Sequence, residues 1–409
     1  HITMMGLGMM IGAGVFVGIG MCSHSSGGGG LMVTFALNGL IALFSALSFA
    51  ELASAIPRAG GTYNFARIAF GRPASFIAGW MEWLAASAAG GFYALVLMQT
   101  VFKFCVEFEW IDSVADGGWM GMDWRVRVFA LGAVLVFVLI NFRGSSETGK
   151  LGAIFTVGQM LFVVAIGIAG AVQFFLDPSR IENFQPFLGS GDWIGLLGTM
   201  GVIYVAFEGF EVIAQAGDET IDPRRNIPKA ILYSVLIVTL TYLLVAFGTL
   251  VGLSMSDTDP ATGQTLSQAT NGAGENVAAW IGSHGHEGDS GFQAAVSVLL
   301  KGWGGLLVTL AVIFSATSAL NATIYSATRA GYALGRDRML PKAFSNIHPV
   351  TKTPWFSLLC TAGLILGVAA MLMIKDAGAT ASIMFLMLFL LVNVCVIRVR
   401  RHMGDELQY

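Results

Sequence analysis

Charge is scarce in this chain. Only 11% of its 409 residues are Asp, Glu, Lys or Arg, against about 25% in an ordinary soluble domain. The 25 acidic and 22 basic side chains leave a formal net charge of −3, so no basic surface points to nucleic acid. Cysteine is nearly missing. Cys22, Cys105, Cys360 and Cys395 fall in or beside apolar runs, with neither metal-ligand spacing nor a disulfide framework. No G-x-S-x-G, P-loop or H-E-x-x-H pattern occurs, so the sequence supports no enzyme chemistry and calls for no cofactor. His284, His286, Glu287 and Asp289 are metal-ligand types, but they sit in a glycine-rich stretch without helical or finger spacing and read as a solvated loop. The first apolar run begins without a basic n-region or an A-x-A site, so it is not read as a signal peptide. Such a start leads us to expect a cytoplasmic segment ahead of His1.

What fills the chain instead is hydrocarbon. Hydrophobic residues make up 55% of it, and runs of about 18 or more recur, each long enough to cross some 30 Å of lipid as a helix. Ten spans are expected, at 3–22, 31–56, 73–104, 126–142, 148–175, 193–216, 228–253, 304–332, 355–374 and 378–397. Turn-forming stretches separate some of them, at Ser25–Gly30, Pro57–Gly61, Gly189–Gly191 and Pro341–Pro354. The connection 254–303 is polar at first and ends in FQAAVSVLL, which suggests a helix lying across the outer face. Backbone at membrane depth must satisfy its own hydrogen bonds, so the fold class is all-α. The nine Trp read as packing groups and interfacial anchors.

Lys and Arg orient the chain. With a cytoplasmic N-terminus, the outer connections hold only Lys103, Arg125, Arg127, Arg180, Lys301 and Lys375, and all the rest of the 22 lie inside. The opposite orientation inverts that bias, so a cytoplasmic N-terminus is expected.

Two spans carry features that a simple anchor would not keep. The first reads GLGMMIGAGVFVGIG from Gly6 to Gly20, and each glycine weakens a helix by about 1 kcal/mol relative to Ala. Close helix packing is one reading of these glycines. The other is an unwound segment at Gly12-Ala13-Gly14, whose free amides face an anionic group. The sixth span reads YVAFEGFEVIAQAGDE, with Glu208 and Glu211 flanking Gly209. A carboxyl group at membrane depth costs several kcal/mol unless it is neutralised, paired or hydrated. Each acid taken singly could bond a neighbouring helix. Both together, beside a helix-weakening glycine, read as a discontinuous helix lining a cavity. Spans one and six then stand in corresponding places of two five-span halves. Glu82, between Trp80 and Trp83, is a site candidate by depth and equally a snorkelling interfacial acid. Glu51 reads as a structural partner for Arg58 or Arg67.

At these residues the sequence resembles the amino acid–polyamine–organocation (APC) family of permeases along essentially its whole length. IGAGVF looks like the family's glycine-rich break. AELASAIPRAGGTYNFARIAFG (Ala50–Gly71) is similar to its second-span exit, FEGFEVIAQAGDETIDPRRNIPKAI (Phe207–Ile231) to its sixth span, and SATRAGYALGRDRMLP (Ser326–Pro341) to the end of its eighth. The resemblance implies a five-plus-five inverted repeat of the leucine-transporter type, with halves 1–175 and 176–397, an outer connection at 254–303 and a cytoplasmic tail at 398–409. It implies a multi-pass plasma-membrane protein that carries an amino acid by alternating access, with H+ or Na+ as coupling ion and lipid as surroundings. The substrate carboxylate would meet the amides of Ala13, Gly14 and Val15. Its ammonium would meet carbonyls near Met10 and Ile11 and at Val205–Glu208, with Phe207 or Val205 as gate. The third span would contribute around Glu82, Ala86 and Gly90, and the eighth around Ser315, Ser318 and Asn321.

Two departures stand out. Many family members have twelve spans and this chain stops after ten. The lysine that some proton-coupled relatives carry in the fifth span matches Gln159, which has no titratable ammonium. Two ionised carboxylates within one helical turn repel and lose hydration, so Glu208 and Glu211 are expected to titrate as a unit. The resemblance, to family members that use an acid at this position as a proton sensor, implies that Glu211 carries the proton-linked step, with Glu208 nearer the substrate ammonium. Glu82, or a sodium ion held by first-span carbonyls and eighth-span hydroxyls, is the alternative coupling site. Transport of a cation or polyamine is the neighbouring alternative. A non-transporting sensor would be expected to carry a fused soluble domain, and none lies within these residues.

Overall fold

The structure is a computed structural model that describes residues 2–12, 14–112, 122–185, 187–188, 193–269, 276–284, 290–301 and 303–403. Its described residues form helices joined by turns, with one isolated bridge between Thr258 and Thr265. The chain runs through α1 (Ile2–Met10), α2 (Gly14–Ala55), α3 (Gly61–Phe70), α4 (Arg72–Glu107), α5 (Trp124–Phe142) and α6 (Ser145–Leu176). It continues through α7 (Trp193–Ile203), α8 (Glu211–Gln215), α9 (Pro223–Val251), α10 (Leu266–Ala269), α11 (Val277–His284) and α12 (Ser290–Leu299). Helices α13 (Trp303–Arg336), α14 (Trp355–Met371) and α15 (Ile374–Met403) complete it.

Among the described residues, seven helical segments are long and apolar enough to cross a membrane: Ser26–Ala55, Arg72–Val106, Trp124–Phe142, Thr148–Leu176, Pro223–Val251, Trp303–Arg336 and Ile374–His402. A shorter apolar helix, Trp355–Met371, accompanies them. Large apolar side chains such as Leu139, Leu161, Leu240 and Leu390 are exposed on the outer surface of the bundle. An aqueous solvent would penalise that arrangement, and hydrocarbon does not.

The expected connection at Ser25–Gly30 is narrower than the composition suggested. Helical geometry continues through it except at Gly27, whose φ of 73° and ψ of −179° only glycine adopts freely. There the chain turns, and the two arms of α2 face each other: a Cβ on Gly18 would touch Phe35 Cζ at 3.4 Å. The expected turn at Gly189–Gly191 lies outside the described residues. The apolar end of the connection 254–303 is helical as expected, in α12, and two further short helices, α10 and α11, precede it. Both α11 and α12 pack on α2, and Phe292 meets Phe16 with ring centroids 5.5 Å apart. His284 lies against Trp280, while residues 285–289 of the His-Glu-Asp stretch are outside the described residues. Helix α15 continues through 398–403, so the first residues of the expected cytoplasmic tail are helical.

Glu51 does not pair with Arg58 or Arg67. It accepts from Arg400 Nε on α15 at 2.7 Å, and Arg67 instead bonds Asp337 beside the end of α13. Both acids find the base that helix packing brings alongside, and sequence distance does not report that.

Helix α13 lies at the centre, against α4 and α6, with Ser315, Thr317, Ser318, Asn321, Thr323 and Ser326 among its buried residues. Small and hydroxyl side chains let membrane helices approach closely. Helices α6 and α9 use glycine for the same purpose, since a Cβ on Gly167 would lie 3.2 Å from the Leu244 carbonyl oxygen. Gly167→Leu is therefore expected to destabilise the bundle by about 1–3 kcal/mol through overpacking. A lowered melting midpoint of the purified protein in detergent is the expected readout. An unchanged midpoint would show that α6 and α9 do not meet there.

Candidate functional site

The site begins where two helices stop inside the bundle. Helix α1 ends at Met10, and Ile11 and Gly12 bend before α2 starts at Gly14. Ala13 lies outside the described residues. Helix α7 passes into a 3-10 turn at Tyr204–Phe207, then a bend at Glu208–Phe210, and resumes as α8. Val205 belongs to the 3-10 turn.

The two breaks lie against each other. Gly209 has φ 131°, a conformation L side chains rarely adopt, and a Cβ there would come within 2.7 Å of the Met10 amide nitrogen. A Cβ on Gly14 would sit 3.0 Å from Ala206 Cα. Interrupted helices leave carbonyls without their usual amide partners, and leaving them bare in an apolar core costs several kcal/mol. One hydroxyl serves both breaks: Tyr242 of α9 donates toward Met10 O at 2.6 Å and Ala206 O at 2.9 Å. Ser315 of α13 donates to Ile11 O at 2.7 Å. The carbonyls near Met10, Ile11 and Ala206, expected to meet a substrate ammonium, thus already carry protein donors.

Side chains around the breaks fall into an acidic and a neutral group. Glu82, Glu208 and Glu211 are all buried, and none pairs with Lys or Arg among the described residues. Glu211 Oε2 accepts from Gly209 N at 2.8 Å, which fastens the acid to its own bend. Glu82 Oε1 accepts from Thr62 Oγ1 at 3.3 Å and from Gln215 Nε2, and Gln215 Oε1 in turn accepts from Gly60 N at 3.1 Å. Glu208 has no hydrogen bond among the described residues. One oxygen of each of the three acids is buried without a partner. Glu82 lies within electrostatic range of Glu211, and Tyr93 within range of both Glu208 and Glu211.

On the neutral side, Phe207 is fully buried with its ring centroid 5.2 Å from Tyr242 and 6.4 Å from Phe35. Ser318 shares a hydrogen bond of 3.0 Å with Thr156 of α6, and Thr156 also donates to Met4 O. Gln159 stands one turn further along α6, fully buried, with neither end of its amide partnered. Asn321 donates to Thr148 O and accepts from Asn141, which puts it among α5, α6 and α13 and away from the breaks. Ala86 is buried on α4, and a Cβ on Gly90 would meet Ile365 and Thr323, so that face of α4 packs on α13 and α14. Met10 and Val15 are buried at the ends of α1 and α2.

Four residues that sequence reasoning passed over belong to this constellation: Tyr242, Tyr93, Gln215 and Thr156. Each is a polar group inside an apolar helix, the signal that singled out the glutamates, at lower cost and so less conspicuous.

Towards one end of the bundle, charged residues tie three elements together. Arg329 donates to Glu219 at 2.8 Å while Tyr325 donates to the same carboxylate. Arg336 reaches Asp218, the Ala59 carbonyl and Asn64. Arg67 and Tyr63 both reach Asp337. These contacts join α3, the turn after α8 and the end of α13.

The comparisons agree along the chain. The family model described as amino acid permease matches residues 1–408. The branched-chain amino acid permease BcaP of Bacillus subtilis (strain 168) is 26% identical over 99% of this chain and 80% of its own length. The methylthioribose transporter of the same organism is 24% identical over 98% of this chain and 80% of its own. The chloroplastic cationic amino acid transporter 7 of Arabidopsis thaliana is 28% identical over 86% of this chain and 56% of its own.

If Tyr242 holds the two breaks together, Tyr242→Phe removes the hydroxyl shared by Ala206 O and Met10 O, the latter keeping only its bond from the Gly12 amide, at about 1–3 kcal/mol. The expected outcome is a lower melting midpoint together with faster hydrogen exchange at residues 10–14 and 206–210. Unchanged exchange there would show that the hydroxyl does not join them.

Proposed function

Since the chain belongs to the amino acid permease family, we propose that it carries an amino acid, or a closely related amine, across the plasma membrane by alternating access. The observation that carries this reading is the apposition of two broken helices at the centre of a membrane bundle, Met10–Gly14 against Tyr204–Phe210. Helix ends that meet inside a bundle offer an amide-rich N-terminus for a carboxylate and an acidic bend for an amine. The assignment is therefore that the substrate carboxylate docks at the start of α2 around Gly14 and Val15. The amine docks toward Glu208, because the carbonyls of Met10, Ile11 and Ala206 already accept from Tyr242 and Ser315.

The proposed architecture is ten spans in two inverted repeats, 1–175 and 176–397, with a cytoplasmic N-terminus. The clamp of Arg67, Arg329 and Arg336 lies at the basic end of the bundle, and it would hold the cytoplasmic side shut in one of the alternating states. The connection 254–303 would then cover the outer half of the pathway, in keeping with its packing on α2. Relatives are named for branched-chain amino acids, methylthioribose and cationic amino acids. With names so varied, substrate choice has to come from this chain's own side chains.

Coupling is assigned to a proton at Glu211. Hydrogen bonds to an ionised carboxylate are about twice as strong as neutral ones. A proton arriving on Glu211 therefore weakens the Gly209 N–H bond that shapes the bend, linking protonation to the conformation of the broken helix. Gln159 supplies no titratable group, and a sodium ion at the Ser315 and Ser318 hydroxyls is the competing assignment.

Reconstitution tests both statements. Proteoliposomes with an inward proton gradient are expected to accumulate labelled amino acid, and Glu211→Gln to lose the pH dependence of uptake. Full gradient-driven uptake with unchanged pH dependence in Glu211→Gln would contradict the proton assignment. Uptake that requires sodium and ignores pH would replace it with the sodium site. Orientation is tested separately, by Ser267→Cys in a background lacking the four native cysteines. An impermeant thiol reagent is expected to label it from outside intact cells, and labelling only from the cytoplasmic side would overturn the topology.

A further inference from the structure

We propose that the cavity beside Arg180 and Lys301 binds the phosphate of a glycerophospholipid headgroup. The leaflet, the outer one, follows from the orientation proposed above, and the site itself depends only on the chain lying in a membrane.

The cavity lies where α6 and α9 end and α12 turns into α13. Its volume is about 560 Å3, and Gln173, Arg180, Asp257, Thr258 and Lys301 line it beside Gly252, the residue that ends α9. In the proposed orientation only six of the 22 Lys and Arg lie on the outer side, and two of the six meet here.

Both cations have donors to spare. Arg180 Nη1 donates to Gly252 O at 2.9 Å, and Nε lies 3.5 Å from Asp177 Oδ2. These contacts fix the guanidinium plane and leave Nη2 without a hydrogen-bond partner among the described residues. The Lys301 ammonium has neither an ion pair nor a hydrogen bond among them. Its backbone is left-handed, at φ 49°, a conformation glycine adopts without strain. An unpaired ammonium thus stands where the turn alone would favour glycine. The Gln173 amide and the Thr258 hydroxyl add further donors, again without partners among the described residues. Asp257 is the one acid of the lining, and its Oδ2 accepts from Ser254 N at 2.7 Å.

A guanidinium edge and an ammonium are the groups that proteins set against phosphate. The rim indicates which phosphate. Phe175 and Leu176, just past Gln173 on α6, and Trp303, which opens α13, are large apolar side chains exposed beside the cavity. A Trp at the end of a span marks the level of the headgroups. Acyl chains can cover that apolar surface while the phosphate enters the cavity, and a free phosphate gains nothing from it. Asp257 is then available to an amine on the headgroup, which makes phosphatidylethanolamine the suitable probe.

Native mass spectrometry tests this on the purified full chain, stripped of lipid in detergent and titrated with phosphatidylethanolamine. Lys301→Gln is expected to weaken binding of the first lipid about tenfold, and Lys301→Arg to retain most of it. Because the Lys301 ammonium has no partner among the described residues, neither change is expected to move the melting midpoint. Lys375→Gln, at an outer cation away from the cavity, is expected to leave binding unchanged. Diacylglycerol, which lacks the phosphate, is expected to bind about tenfold more weakly than the phospholipid. The proposal is overturned by unaltered affinity in Lys301→Gln, by an equal loss in Lys375→Gln, or by diacylglycerol binding as tightly as the phospholipid. Inorganic phosphate that displaces the lipid at equal concentration would also overturn it, and would reassign the cavity to a free anion. Each of these outcomes is read without transport, so amino acid uptake stands or falls separately.

Discussion

A helix interrupted inside an apolar bundle exposes peptide groups to a medium that cannot solvate them, and much of this structure is arranged to satisfy that demand. A single tyrosine hydroxyl stands between the Met10 and Ala206 carbonyls, Met10 also accepting from the Gly12 amide, and at Ile11 the donor is a serine from a third helix. Because each broken helix depends on donors from elsewhere, neither can move without disturbing the other. Gly209 and Gly14 then permit the approach, since a side chain at either position would strike the opposite backbone. Gly209 takes φ 131°, open to glycine and strained for any L side chain, at the point where the bend presents Glu208 and Glu211 to the same interior.

That constraint couples chemistry to shape. Glu211 bonds the Gly209 amide, so its charge state and the geometry of the bend are linked through one hydrogen bond of 2.8 Å. Gln215, one turn further, bonds both Glu82 and the Gly60 amide at the entry to α3. Beyond it, Glu219 and Asp218 are held by Arg329 and Arg336 on α13. Polar contacts thus run from Glu82 through Gln215 to Gly60, and the backbone on either side, at Ala59 and at Asp218–Glu219, is held by Arg336 and Arg329. These contacts are a route by which binding could bias the clamp. A difference in energy between two states of it is what a transport cycle requires.

The sequence made some of this legible. Polar and small residues in apolar runs are costly or weakening, so Gly12, Gly14, Gly209, Glu208 and Glu211 marked themselves by breaking a rule. The family followed from motifs spread along the chain, and a family match over 1–408 agrees with it. What could not be read was partnership. Glu51 pairs with Arg400, far along the chain, because α15 packs beside α2 and α3, and nothing near Glu51 in sequence announces that. Tyr242 stands among leucines and valines like any amphipathic residue, and only its position across from both breaks gives it a role. The turn at Gly27 was expected as a six-residue linker, because helical backbone can persist through Ser and Gly when the surrounding helices supply the packing.

The claim at the centre is that the two breaks together form the substrate site. An electron cryo-microscopy structure of the protein in lipid, with a transported amino acid bound, tests it most directly. The account predicts density for the carboxylate at the start of α2, beside Gly14, and for the amine at the Glu208 bend, with α1 and α7 both interrupted. Unbroken helical hydrogen bonding through residues 9–17, or the amino acid bound away from both breaks, would contradict it.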